Sequence, residues 1–216
     1  MTLTYPGGLP FAPSDDEVIA ATRTWIERAV IGLNLCPFAR SVYLGDQLRL
    51  VVSPARTPDE LLGDLAVELT YLAQVEPVLV ETTLLITPHV LKDFLDFNDF
   101  LDVADEALAV LKLTGTLQIA SFHPGYRFEG RDADDPAHLT NRSPWPSLHL
   151  LREASIARAA AAFHNPAAIY AENMRTMAAL GHSGWKALFE PPCAAHRTAE
   201  SAAAPDTVSA VPTPQA

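Results

Sequence analysis

The sequence has little positive charge and no long apolar run. Its 216 residues carry 15 Lys and Arg against 26 Asp and Glu, a net charge of −11. Phosphate backbones and anionic lipid surfaces are recognised by clustered positive charge, so we expect neither nucleic acid nor a membrane as a partner. No uncharged apolar run approaches the ~18 residues of a membrane span, and no basic segment followed by an apolar one opens the chain. We therefore expect a cytoplasmic protein.

Cysteine is also scarce, and the two cysteines lie in very different contexts. Cys36 follows an apolar segment, whereas Cys193 lies in a stretch of Ala, Pro, Ser and Thr. A structural disulfide is therefore not expected. The composition of residues 191–216 predicts a disordered tail, because the segment has too little apolar surface to bury. With an irregular arm predicted over residues 1–13, a single domain remains at residues 14–190.

Two capping patterns mark the starts of helices. Ser14 with Glu17, and Thr57 with Glu60, have the spacing of capping boxes, in which side chains satisfy free backbone amides. Apolar residues recur at helical spacing after each pattern. The predicted helices cover residues 15–31, 58–74, 90–113, 147–162 and 166–180, with a further helical turn at 185–189.

Apolar, β-branched runs between these helices indicate strands. They cover residues 48–53, 80–86 and 116–121, with a short strand near Val42 joined to the first by a hairpin. Alternation of strands and helices is typical of right-handed crossovers between parallel strands. The predicted fold is α/β. It has a small, mostly parallel sheet of three to four strands from a βαβαβ core, with an N-terminal helix and two to three C-terminal helices packed on it.

The segment between residues 122 and 147 has the residue types that most often form binding or catalytic sites. It has no helical or strand period, yet it is dense in His, Arg, Asp and aromatic residues. Loops of this length are usually functional or disordered, and disordered segments are poor in aromatics. Ligands of open α/β sheets bind outside the carboxyl ends of parallel strands, where this segment begins. We predict a small-molecule site formed by this loop and the helix predicted over residues 147–162.

Three residues suggest a metal-dependent enzyme. His149 and Glu153 would share one face of the predicted helix at i and i+4. With His123 from the end of the third strand, they would supply two imidazoles and a carboxylate, which suit Fe(II) or Zn(II). We predict that all three bind a divalent metal and that His123 and Glu153 are catalytic. The alternative is an ordinary helical pair and a core histidine held by a backbone carbonyl.

The arginines of the loop suggest an anionic ligand. Arg142 and Ser143 precede two prolines suited to the first turn of the predicted helix, where free amides and a guanidinium bind carboxylate or phosphate. Arg127 would approach from the other end of the loop. The alternative is that an arginine of the loop, which also contains Arg131, pairs with Asp132, Asp134 or Asp135. The predicted substrate-binding residues are Arg127, Arg142, Ser143, Tyr126 and Trp145.

Cys36, which is followed by Pro37, leaves several alternatives open. As a nucleophile paired with His123, or as a thiolate ligand of a haem-like group, it would need access and a lowered pKa. It is equally well explained as a small buried residue between Leu35 and Phe38, since free cysteine is often buried. A non-catalytic binding protein for an anionic metabolite or a haem-like ligand is a further alternative.

Five ordered runs of the sequence carry a resemblance to a protein family. They are GLNLCPFA, ETTLLITP, DFNDFL, ASFHPGYRF and TNRSPWPSLHLLRE. Together they resemble the bacterial domain-of-unknown-function family 1415, over about residues 15–189. The resemblance implies one cytosolic domain. It implies no particular activity, cofactor or catalytic residue.

Overall fold

The computed structural model describes residues 12–162 and 166–190. Almost all of the predicted arm and the whole of the predicted tail lie outside these ranges. None of the described helices has the length and apolar content needed to cross a membrane. The helices are α1 (Asp15–Trp25), a π-helix (Ile26–Ile31), α2 (Ala39–Leu44), α3 (Pro58–Gln74), α4 (Phe94–Val110), a 3-10 helix (Pro136–Asn141), α5 (Glu153–Ala162) and α6 (Pro166–Ala187). The strands are β1 (Leu48–Val52), β2 (Thr82–Ile86), β3 (Leu117–Phe122) and β4 (Ser147–Arg152).

The four strands form one sheet in the order β1-β2-β4-β3. β1 and β2 are parallel, whereas β4 is antiparallel to both β2 and β3. β1, β2 and β3 therefore run in the same direction, and β4 lies between two of them. The α/β fold class is confirmed. The mostly parallel sheet is confirmed only in part, because two of the three strand pairings are antiparallel.

The carboxyl ends of β1, β2 and β3 lie at one edge of the sheet, which we call the carboxyl edge. Val52 pairs with Ile86, and Ser147 at the start of β4 pairs with both Ile86 and Phe122. Residues 123–146 therefore leave the sheet and return to it at the same edge. We call them the connecting segment.

Helices cover both faces of the sheet. Leu85 and Leu148 contribute to a core with α3 and α4. Leu84 and Ile86, which point to the opposite face because side chains alternate along a strand, contribute to a second core with α1, the π-helix and α6. The sheet is thus the middle layer of a three-layer arrangement, with the connecting segment at its carboxyl edge.

Several predicted elements are confirmed. Both capping boxes form, with Ser14 and Thr57 each accepting a backbone amide and Glu17 and Glu60 reaching back. The helix predicted over residues 15–31 forms, although its last six residues are a π-helix. The break predicted between the last two helical segments is also present, since Gly181 has φ 61° and ψ −178° inside α6.

The short strand near Val42 and its hairpin are wrong, because this segment forms α2. Val42 and Tyr43 are of types that favour strands, but such preferences depend on context. Here the Tyr43 hydroxyl donates a 2.6 Å hydrogen bond to the Glu27 carboxylate. That contact joins the segment to the π-helix instead of the sheet.

The helix predicted over residues 147–162 is wrong in its first third. Residues 147–152 form β4, and helix α5 begins only at Glu153. Leu148 and Leu150 alternate toward the core formed with α3 and α4, which is the period of a strand. A run this short is ambiguous in sequence, and the alanine-rich helix that follows extends the helical pattern backwards.

Candidate functional site

His123 lies directly after β3 and is 2% exposed. The backbone amide of Gly125 donates to its Nδ1 at 2.9 Å, so Nδ1 carries a lone pair and the proton is on Nε2. Nε2 then donates to the Leu91 carbonyl at 3.2 Å. Burial lowers the pKa of His123, which favours this neutral form. Because both ring nitrogens bond to backbone groups, His123 joins the connecting segment to the start of α4.

The structure does not assemble the predicted metal site. Glu153 donates its backbone amide to Thr116, at the end of β3 opposite His123. At ~3.3 Å per residue the length of β3 separates these two residues by roughly 20 Å, far beyond a shared coordination sphere. Among residues 12–162 and 166–190, no group of three or more His, Cys, Asp and Glu side chains is placed to hold a metal ion. The prediction depended on a helix at His149 that does not form.

His149 instead lies in the middle of β4, opposite Leu84 of β2 and Ala120 of β3. The Thr82 hydroxyl donates to the Leu150 carbonyl at 2.6 Å, so it accepts a 2.8 Å hydrogen bond from His149 Nε2. Burial lowers the pKa of His149 to about 4, and the ring is therefore neutral at pH 7. His149 thus contributes to the interior of the sheet.

His138, which sequence reasoning did not single out, has the same arrangement as His123. It is fully buried. The Phe128 amide donates to its Nδ1 at 3.1 Å, and its Nε2 donates to the Asp132 carbonyl at 2.8 Å. His138 therefore fixes two turns of the connecting segment to each other. We call His123 and His138 the histidine pins.

Arg131 has the acidic partner that was the alternative for Arg142. Its Nη1 donates to Asp135 at 2.7 Å, and its Nη2 donates to the Tyr170 hydroxyl, also at 2.7 Å. These contacts join the connecting segment to α6. They also occupy Asp135, so the ion pair predicted as an alternative forms at Arg131 and not at Arg142.

Arg142 is half-buried and has no carboxylate partner among the described residues. The one hydrogen bond of its side chain within them is a 3.4 Å contact from Nε to the Tyr126 carbonyl, which leaves both terminal nitrogens available. Burial, and then the positive charge of Arg127, hold the pKa of Arg142 below its usual range. Arg127 is exposed and likewise has no carboxylate partner in the described chain. We call these two residues the arginine pair.

One premise of the predicted anion site is wrong, because Arg142 and Ser143 lead into a strand and not into a helix. No helical first turn supplies free amides there. The Ser143 hydroxyl is buried and donates to the Trp145 carbonyl at 2.6 Å, so it stabilises the local turn. Of the groups predicted to bind an anion, the guanidinium groups of Arg127 and Arg142 have no carboxylate partner among the described residues.

The two predicted aromatic residues have different surroundings. Tyr126 packs against Phe94 and Phe128, with ring centroids 5.2 and 5.0 Å away, and burial raises the pKa of its hydroxyl. Its backbone carbonyl contacts Arg142, so it lies beside the arginine pair. Trp145 packs against the core on the α1 side, and its indole nitrogen is buried with no hydrogen-bond acceptor among the described residues.

Cys36 is a partly exposed free thiol, so the reading as a fully buried residue is wrong. It lines a cavity of about 310 Å³ between the π-helix, the connecting segment and α6. None of the histidines in the described ranges lines this cavity, and His123 is bonded to Leu91 and Gly125. The predicted pairing of Cys36 with His123 is therefore not formed. The cavity is lined by Val30, Leu35, Cys36, Phe122, Phe128, Thr140, Asn141, Tyr170, Asn173 and Met174.

Sequence reasoning missed the two asparagines of this cavity. Asn173 donates from Nδ2 to the Leu35 carbonyl at 2.9 Å, and Asn141 donates from Nδ2 to the Ser121 carbonyl at 3.4 Å. Asn141 lies in one of the five family-like runs, which was an available signal. Asn173 lies on α6, far along the chain in a region with no recognisable motif, and nothing in the sequence pairs it with residue 35.

The comparison with protein families gives one match. The model of a family described as a protein of unknown function, DUF1415, matches residues 17–187. No curated protein and no solved structure matches the chain. Because the family model covers most of the sequence, the chain belongs to the DUF1415 family, as its sequence runs predicted.

Proposed function

We propose that this DUF1415 protein binds a small molecule carrying a carboxylate or phosphate group, through the arginine pair at the carboxyl edge. The observation that carries the proposal is the environment of Arg142. A half-buried guanidinium with a second guanidinium beside it has no carboxylate within the described chain to compensate its charge. Such an arrangement costs free energy in the free protein, and a bound anion would offset that cost.

The position of the pair supports the same proposal. The connecting segment begins at the carboxyl ends of the sheet, which is where ligands of open α/β sheets bind. The histidine pins fix its backbone from the inside, so the arginines project from a supported surface. Preorganisation of this kind lowers the entropic cost of binding.

Titration with inorganic phosphate, followed by calorimetry or by amide chemical shifts, tests the proposal. A charge-assisted contact contributes about 1.5–3 kcal/mol, so Arg142→Ala should weaken phosphate binding about ten- to a hundredfold. Arg142→Lys should restore only part of this, because lysine lacks the bidentate geometry. Arg131→Ala is the matched control, since this arginine lies in the same segment but is paired with Asp135. Equal affinity in wild type and Arg142→Ala would contradict the proposal.

Catalysis is a separate proposal, and neither an enzymatic reaction nor a cytoplasmic location follows from the binding site. A metal-dependent reaction would need ligands other than the predicted triad of His123, His149 and Glu153. A haem-like ligand stays a prediction as well. Elemental analysis and an absorption spectrum of protein purified without added metal test both: stoichiometric Fe or Zn would favour the metal enzyme, and a Soret band would favour haem.

A further inference from the structure

The cavity beside Cys36 differs chemically from the arginine pair. None of the described side chains that line it is charged, and most of its wall is apolar or aromatic, including Phe122, Phe128 and Met174. The hydroxyl of Tyr170, one of the lining residues, accepts a hydrogen bond from Arg131, and the charge of that arginine is paired with Asp135. An ion entering this cavity would lose hydration without gaining a charged partner, so the cavity favours a neutral ligand.

The polar groups of the wall are two side-chain amides, the hydroxyls of Thr140 and Tyr170, and a thiol. Asn173 is held by its hydrogen bond to the Leu35 carbonyl, which uses one of its amide protons. That bond is the one its side chain makes with the described residues, so the second amide proton and Oδ1 leave one donor and one acceptor for a ligand. Asn141 is held in the same way by the Ser121 carbonyl, and its Oδ1 lies 3.1 Å from the Thr140 hydroxyl, which also donates to the Ala137 carbonyl at 2.8 Å. Asn141 therefore presents one further donor.

We infer that this cavity is a second binding site, which takes a neutral, planar ring with an amide-like edge. The aromatic wall suits the faces of such a ring, and the paired donor and acceptor of Asn173 match an adjacent C=O and N–H. A volume of about 310 Å³ lies at the lower end for small-molecule sites, which limits the ligand to one or two rings. The inference does not depend on the arginine pair.

Three probes that share a benzene ring test the inference on the full chain. Benzamide has the ring and the amide edge, benzoate has the ring with a charge, and toluene has the ring alone. Binding is measured as protection of the Cys36 thiol from iodoacetamide, with peptide mass spectrometry to follow the site. Cys193, which lies outside the described residues, is the internal reference for the reagent in the same sample.

Benzamide at millimolar concentration should slow alkylation of Cys36 at least threefold and leave Cys193 unaffected. Benzoate and toluene should protect at least tenfold less well at equal concentration. Unchanged labelling of Cys36 with benzamide would overturn the inference, and so would protection by benzoate equal to that by benzamide. These comparisons use only the wild-type protein, so they do not depend on the folding of a variant.

A pair of variants then locates the amide that is responsible. Asn173→Leu should reduce the protection by benzamide to the level given by toluene. Asn98→Leu is the matched control, because Asn98 is exposed on α4 and does not line the cavity. Protection by benzamide that is unchanged in Asn173→Leu would contradict the proposed role of this side chain. Circular dichroism of both variants shows whether each has folded.

Discussion

The histidine pins and the arginine pair all lie in the connecting segment, but they differ in burial and in the number of their hydrogen-bond partners. His123 and His138 are buried, and each has both ring nitrogens bonded to backbone groups. Arg127 and Arg142 have no carboxylate partner in the described chain, and burial, followed by the charge of Arg127, lowers the pKa of Arg142. A side chain whose donors and acceptors are all bonded within the protein has no free hydrogen-bonding group for a ligand. Residue type alone would have ranked the histidines first.

Two other arginines of the chain differ from Arg142 in having close hydrogen-bond partners. Arg49 forms two hydrogen bonds with Glu68, at 2.8 and 3.0 Å, and Arg152 donates to the carbonyls of Val75 and Val80. Both have partners that account for their positions. Arg142 has only the long contact to Tyr126. The comparison therefore separates arginines that stabilise the fold from one that is available to a ligand.

The largest expected effect is on the histidine side of the comparison. His138→Ala should lower the free energy of unfolding by about 3 kcal/mol, because it leaves a cavity and removes two buried hydrogen bonds. Urea denaturation measures this. His182→Ala is the control, since His182 is exposed and bonds to the neighbouring Asp134 carbonyl. A small loss in His138→Ala, equal to that in the control, would show that this histidine is not a structural pin.

The second prediction concerns pH and the partly buried His149. Its pKa in the folded protein is about 4, below the ordinary value of 6.5, so the unfolded chain takes up the proton first as the pH falls. Stability should therefore be complete above pH 6.5 and decrease between pH 6.5 and about 4, by about 2–3 kcal/mol. Urea denaturation should show that the free energy of unfolding depends less on pH in His149→Gln than in the wild type over this range. An unchanged profile in that variant would contradict the assignment.

The roles of these histidines could not be predicted from the sequence. Whether both nitrogens of an imidazole have hydrogen-bond partners depends on backbone groups distant in the chain, such as the Leu91 carbonyl that accepts from His123. The helix starts were predictable, because a capping box is a local pattern of four residues. β4 was not, since its apolar positions fit either period and its strand identity comes from pairing with β2 and β3.

The arginine pair was predicted as a site, but the reason given was partly wrong. The helix expected after Arg142 is a strand, so the site depends on side chains alone. The sequence also could not predict that Arg142 has no acidic partner among the described residues, because residues 129–135 contain four acidic side chains that could pair with it. Asp135 pairs with Arg131, which lies four residues before it. Only the folded segment decides between the two arginines.

The smallest expected effect is on the arginine side. Arg142→Met should leave the free energy of unfolding unchanged or raise it by up to about 1 kcal/mol, because it removes a half-buried charge without a partner and keeps the apolar stem. Arg131→Met should lower stability, since it breaks the contacts to Asp135 and Tyr170. Urea denaturation in phosphate-free buffer compares the two. A clear loss in Arg142→Met would indicate that this arginine stabilises the fold.

The most direct measurement is a crystal structure of the protein soaked in sulfate. The account predicts a sulfate ion within hydrogen-bonding distance of the Arg142 guanidinium, with Arg127 on its other side, and the loss of this ion in crystals of Arg142→Ala. Sulfate bound elsewhere, with Arg142 paired instead to Asp132, Asp134 or Asp135, would contradict it.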